Sequence, residues 1–222
     1  MTNKQIKSKK RVEERGEVFT NEREVKAMCD LVSYETNRID SRFLEPACGD
    51  GNFLAEILKR KLEVVTKKYK KVSYDWERNS LLTLGSIYGV DIMSDNVQTC
   101  IERLYSIWEK EYKKICKKDC NDATMDSAHF ILEKNIVCGN ALTLMCVDNE
   151  GHDTEEPIIF SEWTFPFNDR RMQRKDFTFA ELVNAEAKKE SKECSLFDEE
   201  PNEEGHFLKQ YISYYRKVRI NE

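Results

Sequence analysis

The stretch "RFLEPACGDGNFL", residues 42–54, decides the fold. "RFLE" is a short apolar run that ends at a proline, so it reads as a buried strand stopping at a tight turn. Gly49 and Gly51 form a Gly-x-Gly step directly after it, which lets the backbone turn sharply and keeps side chains away from a bound ligand. Beyond the turn, Phe53, Leu54, Ile57, Leu58 and Leu62 recur at three- and four-residue spacing, the pattern of an amphipathic helix. A strand, a glycine turn and a helix open a unit that needs a parallel sheet to close it.

The flanking segments supply that sheet. Upstream, Thr20 is placed to cap a helix running to about Tyr34, with Val25, Met28, Cys29 and Val32 on one face. Downstream, the polar run from Thr66 to Leu84 reads as an excursion. "SIYGVDI" (86–92) is then a second strand, followed by a helix with Ser94 as its cap and Val97, Ile101, Leu104, Tyr105 and Trp108 turned inward. A helical piece over 127–134 precedes a third strand at 135–140, and "PIIF" (157–160) gives a fourth. Strands separated by helices imply an α/β fold, a doubly wound, mostly parallel sheet with helices on both faces. The expected organisation is a basic tail over 1–14, one domain over 15–168 and a short C-terminal extension over 169–222. Within that extension, residues 174–194 read as a helix and 206–220 as a packed amphipathic segment.

Composition narrows the function. The chain has 222 residues and a net charge of −5, which argues against a surface coated for nonspecific nucleic-acid binding. Basic clusters at 4–11, 67–71, 112–118 and 170–175 read as solvated faces, and 197–204 is an acidic run. No apolar h-region or membrane-length run is present, so the expectation is a cytoplasmic protein. Cys116 and Cys120 are the one close pair among 8 cysteines. A structural zinc site needs two such pairs, so no metal is expected.

Ligands of such sheets bind beyond the carboxyl ends of the strands. There the chain offers Glu45, the glycine turn, Asp91 and Asn140 in order. Leu54 stands where a dinucleotide fingerprint has its third glycine, and an acid beside the turn suits an amine better than a pyrophosphate. Asp91, about forty residues past Gly51, suits ribose hydroxyls, and Asn140 suits an adenine edge. An adenosine carrying an amine and a carboxylate fits this set, which points to S-adenosylmethionine.

With these residues in view, the chain resembles the S-adenosylmethionine-dependent DNA methyltransferases of restriction-modification systems that modify adenine N6, in the subgroup whose cofactor-carboxylate motif comes first. The matching stretches are "RGEVFT" (15–20), "FLEPACGDGNFL" (43–54), "GVDI" (89–92) and "CGNALTL" (138–144). Asn21 replaces the family's usual proline, and Asn140 stands where aspartate is common. The resemblance implies a Rossmann-like methyltransferase fold over roughly residues 11–160. It also implies that Phe19 and Thr20 hold the methionine carboxylate and that Glu45, Ala47, Gly49 and Gly51 surround the amine and sugar. Asp91 would bind the ribose, Ile92 would pack on the adenine, and Asn140 would meet its amino group.

The family's catalytic loop, a polar acceptor, two prolines and an aromatic, should follow the fourth strand. "SEWTFPF" (161–167) stands there instead. Either Ser161 or Glu162 is the acceptor with Trp163 as the stacking surface, or Thr164, Pro166 and Phe167 form a reduced version. Two functions follow from different classes. One is a DNA adenine methyltransferase, alone or with a second polypeptide that supplies target recognition and the loop. The other is a catalytically silent cofactor-binding or assembly subunit.

Overall fold

A computed structural model of the chain describes residues 11, 13, 18, 20–167, 169–184 and 207–221. Two sheets and a layer of helices pack together. The first sheet has the order β1 (Phe43–Glu45), β2 (Ile87–Asp91), β3 (Ile136–Asn140), β4 (Met145–Val147), β5 (Asp153–Pro157). Its first three strands run parallel, and the last two form antiparallel pairs. The second sheet is β6 (Ile159–Thr164), β7 (Arg171–Thr178) and β8 (Lys209–Tyr214), all antiparallel.

The helices are α1 (Glu22–Leu31), a short α2 (Ser33–Thr36), α3 (Asn52–Tyr69), α4 (Ser73–Leu84), α5 (Ser94–Cys116) and α6 (Asp122–Asn135). Leu54, Leu58 and Leu62 of α3, Trp108 and Tyr112 of α5, and Phe130 and Ile131 of α6 meet Ile87 and Ile136 of the sheet in one buried cluster. Each large side chain removed from water there contributes about 1.5–3 kcal/mol. β2 is buried along nearly its whole length, which is why it reads as an unbroken apolar run.

Several sequence expectations are revised. The 66–84 segment is no excursion: α3 continues to Tyr69, and α4 places Trp76, Leu81 and Leu84 in the core. Asn21, not Thr20, caps α1 by accepting the Arg23 N–H at 3.0 Å, and the helix stops at Leu31. Val25 and Cys29 are buried, whereas Met28 and Val32 are exposed. Met93 occupies the cap position before α5, and Ser94 is its first residue. α6 begins five residues early because the Asn121 side chain accepts the Ala123 N–H at 2.9 Å.

The long helices lie on one side of the first sheet. On the other, Tyr88 and Val90 pack against Ile158 and Phe160 at the start of β6 and against Phe179 and Leu182 of a short helical segment, 179–184. The expected double winding is therefore replaced on this face by a strand and one short helix. Residues 174–178 are strand rather than helix, because β7 is held between β6 and β8. Tyr215 and Val218 after β8 are buried in the main core, so this C-terminal stretch is integral to the packing. No helix among the described residues is long and apolar enough to cross a membrane.

Candidate functional site

The parallel strands deliver their ends to one cavity of about 630 Å³. Its base is the turn after β1. There the Cys48 N–H donates to Val90 O at 2.9 Å and the Gly51 N–H to Cys48 O at 2.8 Å. Gly49 (φ 53°) and Gly51 (φ 83°) both take the left-handed conformation, which is costly for residues with a side chain. Gly51 faces α5: a Cβ on it would stand 2.6 Å from Cys100 Sγ. Close helix packing, and not contact with the cavity, requires that glycine.

Asp91 at the tip of β2 is locked on three sides. Its Oδ2 accepts the Gly49 N–H at 2.9 Å, and its Oδ1 accepts the Met93 N–H at 2.8 Å and Asn96 Nδ2 at 3.2 Å. A carboxylate offers about four acceptor positions, so one position on Oδ2 stays open for a ligand donor. Glu45 is half-buried, and burial pushes its carboxyl above the usual range, opposed in part by a hydrogen bond from the Ala47 backbone. Such a group gains most from a cationic or donor ligand. Arg103 of α5 braces the turn from outside, donating to Asp50 O at 3.2 Å and Asn52 Oδ1 at 2.8 Å.

Thr20, Glu45, Ala47, Gly49, Asp91, Ile92 and Asn140 all line this cavity. Phe19 lies outside the described residues, and Gly51 lies behind the wall. Asn140 is partly committed: its Nδ2 donates to Asp153 Oδ1 at 2.9 Å and its Oδ1 accepts the Leu142 N–H at 3.0 Å. Sequence reasoning missed Asn96, Met93 and Arg103. Met93 and Asn96 act locally, two and five residues past Asp91, whereas Arg103 acts through bonds made only when α5 packs beside the glycine turn. The nearby thiols are no nucleophiles, because a hydrogen bond with Cys100 and burial both hold Cys48 far toward the neutral form, and burial raises Cys138. Among the described residues no group of His, Cys, Asp or Glu is placed to hold a metal ion.

A family model described as "MmeI, DNA-methyltransferase domain" matches residues 18–191. The chain belongs to this DNA-methyltransferase domain family. Among curated proteins and solved structures, nothing matches it. The match to the MmeI methyltransferase domain spans the glycine turn, Asp91, Asn140 and the first two strands of the second sheet, β6 and β7.

The catalytic-loop expectation fares differently in this methyltransferase domain. Ser161, Glu162 and Trp163 are not in a loop but in β6, paired with Asp176, Lys175 and Arg174 of β7. Ser161 is buried and donates its hydroxyl to Asp176 at 2.7 Å, while Trp163 is buried against Gly85 and Phe130. β6 also runs opposite to β2 and β3. It starts with Ile158 against Gly139, at the end of β3, and reaches Trp163 against Gly85, before β2 begins. A strand of 6 residues rises about 3.3 Å per residue, so Thr164, Pro166 and Phe167 emerge at the edge of the sheet away from the cavity.

Beside the cavity, β1 is bonded to β2 on one side and has no strand partner on the other among the described residues. A groove of about 810 Å³ lies over the face of β1 and β2 opposite the long helices, lined by Leu44, Tyr88, Phe160, Phe179 and Leu182.

Proposed function

We propose that this domain binds S-adenosylmethionine in the cavity at the ends of β1, β2 and β3 and serves methyl transfer to the N6 amine of adenine in DNA, within a restriction-modification or related defence system. The observation that carries this reading is the meeting of Thr20, Glu45, Ala47, Gly49, Asp91, Ile92 and Asn140 in one cavity. The residues fit the cofactor. The bare backbone at Gly49 admits a sugar, the open position on Asp91 Oδ2 accepts a ribose hydroxyl, and Glu45 receives the methionine amine. Thr20 lies before α1, whose first backbone N–H groups favour a carboxylate, and Asn140 keeps one amide hydrogen for the adenine ring. The cofactor's chemistry is an electrophilic methyl group on sulfonium sulfur, open to direct attack by an amine nitrogen.

The residues that polarise the target amine come from elsewhere in this reading. Transition-state stabilisation needs acceptors held in place beforehand, and β6 carries "SEWTFPF" away from the cavity. A second polypeptide then supplies the acceptor loop and target recognition, and the open side of β1, which ends at Glu45, is where a strand would deliver it. The alternative, a cofactor-binding subunit with an assembly role, is favoured by the same reversal of β6.

Calorimetry tests the cofactor site. Wild type should bind S-adenosylmethionine, and Asp91→Ala should weaken binding by about 10-fold or more, from the loss of a charged acceptor and of the bonds that hold the turn. Equal affinity in both proteins, or no binding by either, refutes the site. Transfer of tritium from labelled cofactor into adenine-containing DNA, by the chain alone and with the product of a neighbouring gene, separates the two functions. Label in either reaction supports the methyltransferase, and silence in both supports the assembly subunit.

A further inference from the structure

Parts of three basic clusters that are separate in sequence, 67–71, 112–118 and 170–175, meet around the start of α4. The Ser73 hydroxyl donates to Asp119 Oδ2 at 2.8 Å, and Cys116 Sγ approaches Ser73 O at 4.0 Å. These contacts set Lys117 and Lys118 beside Lys70 and Lys71. Tyr74 donates its hydroxyl to Asp169 O at 3.2 Å, and the Arg170 guanidinium lies over its ring at 5.0 Å. The β6–β7 turn runs along α4, with Arg78 over Phe165 at 4.6 Å and Arg171 over Phe167 at 4.1 Å.

We propose that this face is a second contact surface, for the phosphate backbone of duplex DNA, on the side of the domain away from the cofactor cavity. Charge is the first argument. Lys70, Lys71, Lys117 and Lys118 are exposed and make no ion pair among the described residues, in a protein whose net charge is −5. The carboxylates beside these lysines and arginines include Asp75, Asp119, Asp169, Glu109 and Glu111, of which Asp119 accepts from Ser73, Asp169 pairs with Arg171 at 2.7 Å, and Glu109 and Glu111 pair with Lys113 and Lys114 at 2.9 and 3.0 Å. Geometry is the second argument. A guanidinium resting on a ring is pre-oriented with its N–H edge outward, the arrangement that bonds phosphate oxygens in a fork. Lysines act as point charges and the arginines here rest over rings, so the face reads backbone and not base sequence. It accounts for the aromatic turn Phe165–Phe167, which has no role at the cavity.

The test uses a fluorescent 20-base-pair duplex of G·C pairs only, so that no adenine is present and binding is independent of methyl transfer. Anisotropy titrations at 50 and 200 mM KCl compare wild type with Lys70→Glu/Lys117→Glu and with Lys59→Glu/Lys209→Glu, a control with the same change in net charge. The patch variant should bind about 10-fold more weakly at low salt, with a salt slope shallower by roughly two, while the control stays within about 2-fold. Thermal melts and the neutral pair Lys70→Gln/Lys117→Gln guard against a folding defect. The proposal is overturned if the patch variant binds as wild type does, if the control loses as much, or if an RNA duplex of the same length binds more tightly than DNA.

Discussion

Glu77→Gln should unfold this protein more than any surface change of equal size, because Glu77 joins three elements from a fully buried position. Its Oε1 accepts the Tyr112 hydroxyl of α5 at 2.6 Å. Its Oε2 accepts the Tyr215 hydroxyl at 2.5 Å and Arg216 Nη2 at 2.7 Å, both just beyond β8. Glutamine keeps an oxygen for Arg216 but removes the charge that balances the guanidinium, and its NH2 replaces an acceptor that a tyrosine hydroxyl uses. Breaking a buried ion pair costs about 3–5 kcal/mol. The Arg216 side chain is 28% exposed, so water relieves part of the loss, and the lower end, about 3 kcal/mol, is expected. Urea unfolding followed by tryptophan fluorescence reads this directly, since Trp76 and Trp108 stack on Tyr112 at 5.8 and 4.8 Å. The midpoint should fall at an unchanged m value. A loss below about 1 kcal/mol would show that the C-terminal stretch is not tied to the core through this carboxylate. Replacing the pair together, as Glu77→Gln/Arg216→Met, should recover part of the loss, because the stranded guanidinium is gone.

Two further predictions concern residues that the site does not use. Lys61 is fully buried, donates to Ser86 Oγ at 2.6 Å and to Ser41 O, and burial pushes its ammonium down to about 7. Its folded pKa lies below its unfolded value, so the unfolded chain holds the proton more tightly between those values and stability rises with pH across that window. Relative to Lys61→Met, wild type should gain about 2 kcal/mol between pH 7 and pH 9; parallel stability curves for the two proteins would refute this. Trp163→Ala should cost about 3–5 kcal/mol in urea unfolding and leave S-adenosylmethionine affinity within about 2-fold, because the ring packs on Gly85 far from the cavity. A large loss of affinity at unchanged stability would return Trp163 to the site.

The cavity at the strand ends was legible because its chemistry is local. Pro46, Gly49 and Gly51 dictate a turn whatever surrounds them, and the acids at strand tips follow from apolar runs that end abruptly. The second sheet was not legible. "PIIFSEWT" is compatible with a parallel or an antiparallel strand, since Phe160 packs on Tyr88 while Trp163 enters the helical core, leaving no alternation to read. "RKDFT" carries helix-compatible residues, and only the partners on both sides make it a strand. The hidden charge of Glu77 misled similarly, because the polar run 66–84 reads as exposed until its partners are known.

What the sequence determined by itself is the strand, turn and helix of residues 42–62, the parallel character of the first three strands, and the set of residues at their ends. Tertiary structure alone decided the direction of β6, the open side of β1, and the meeting of parts of three basic clusters beside Tyr74. The reason is range: backbone preference and residue periodicity act over a few positions, whereas strand direction and surface charge depend on contacts between segments a hundred residues apart. That distinction separates the cavity from "SEWTFPF", which the sequence sets next to the site and the fold carries to the other side.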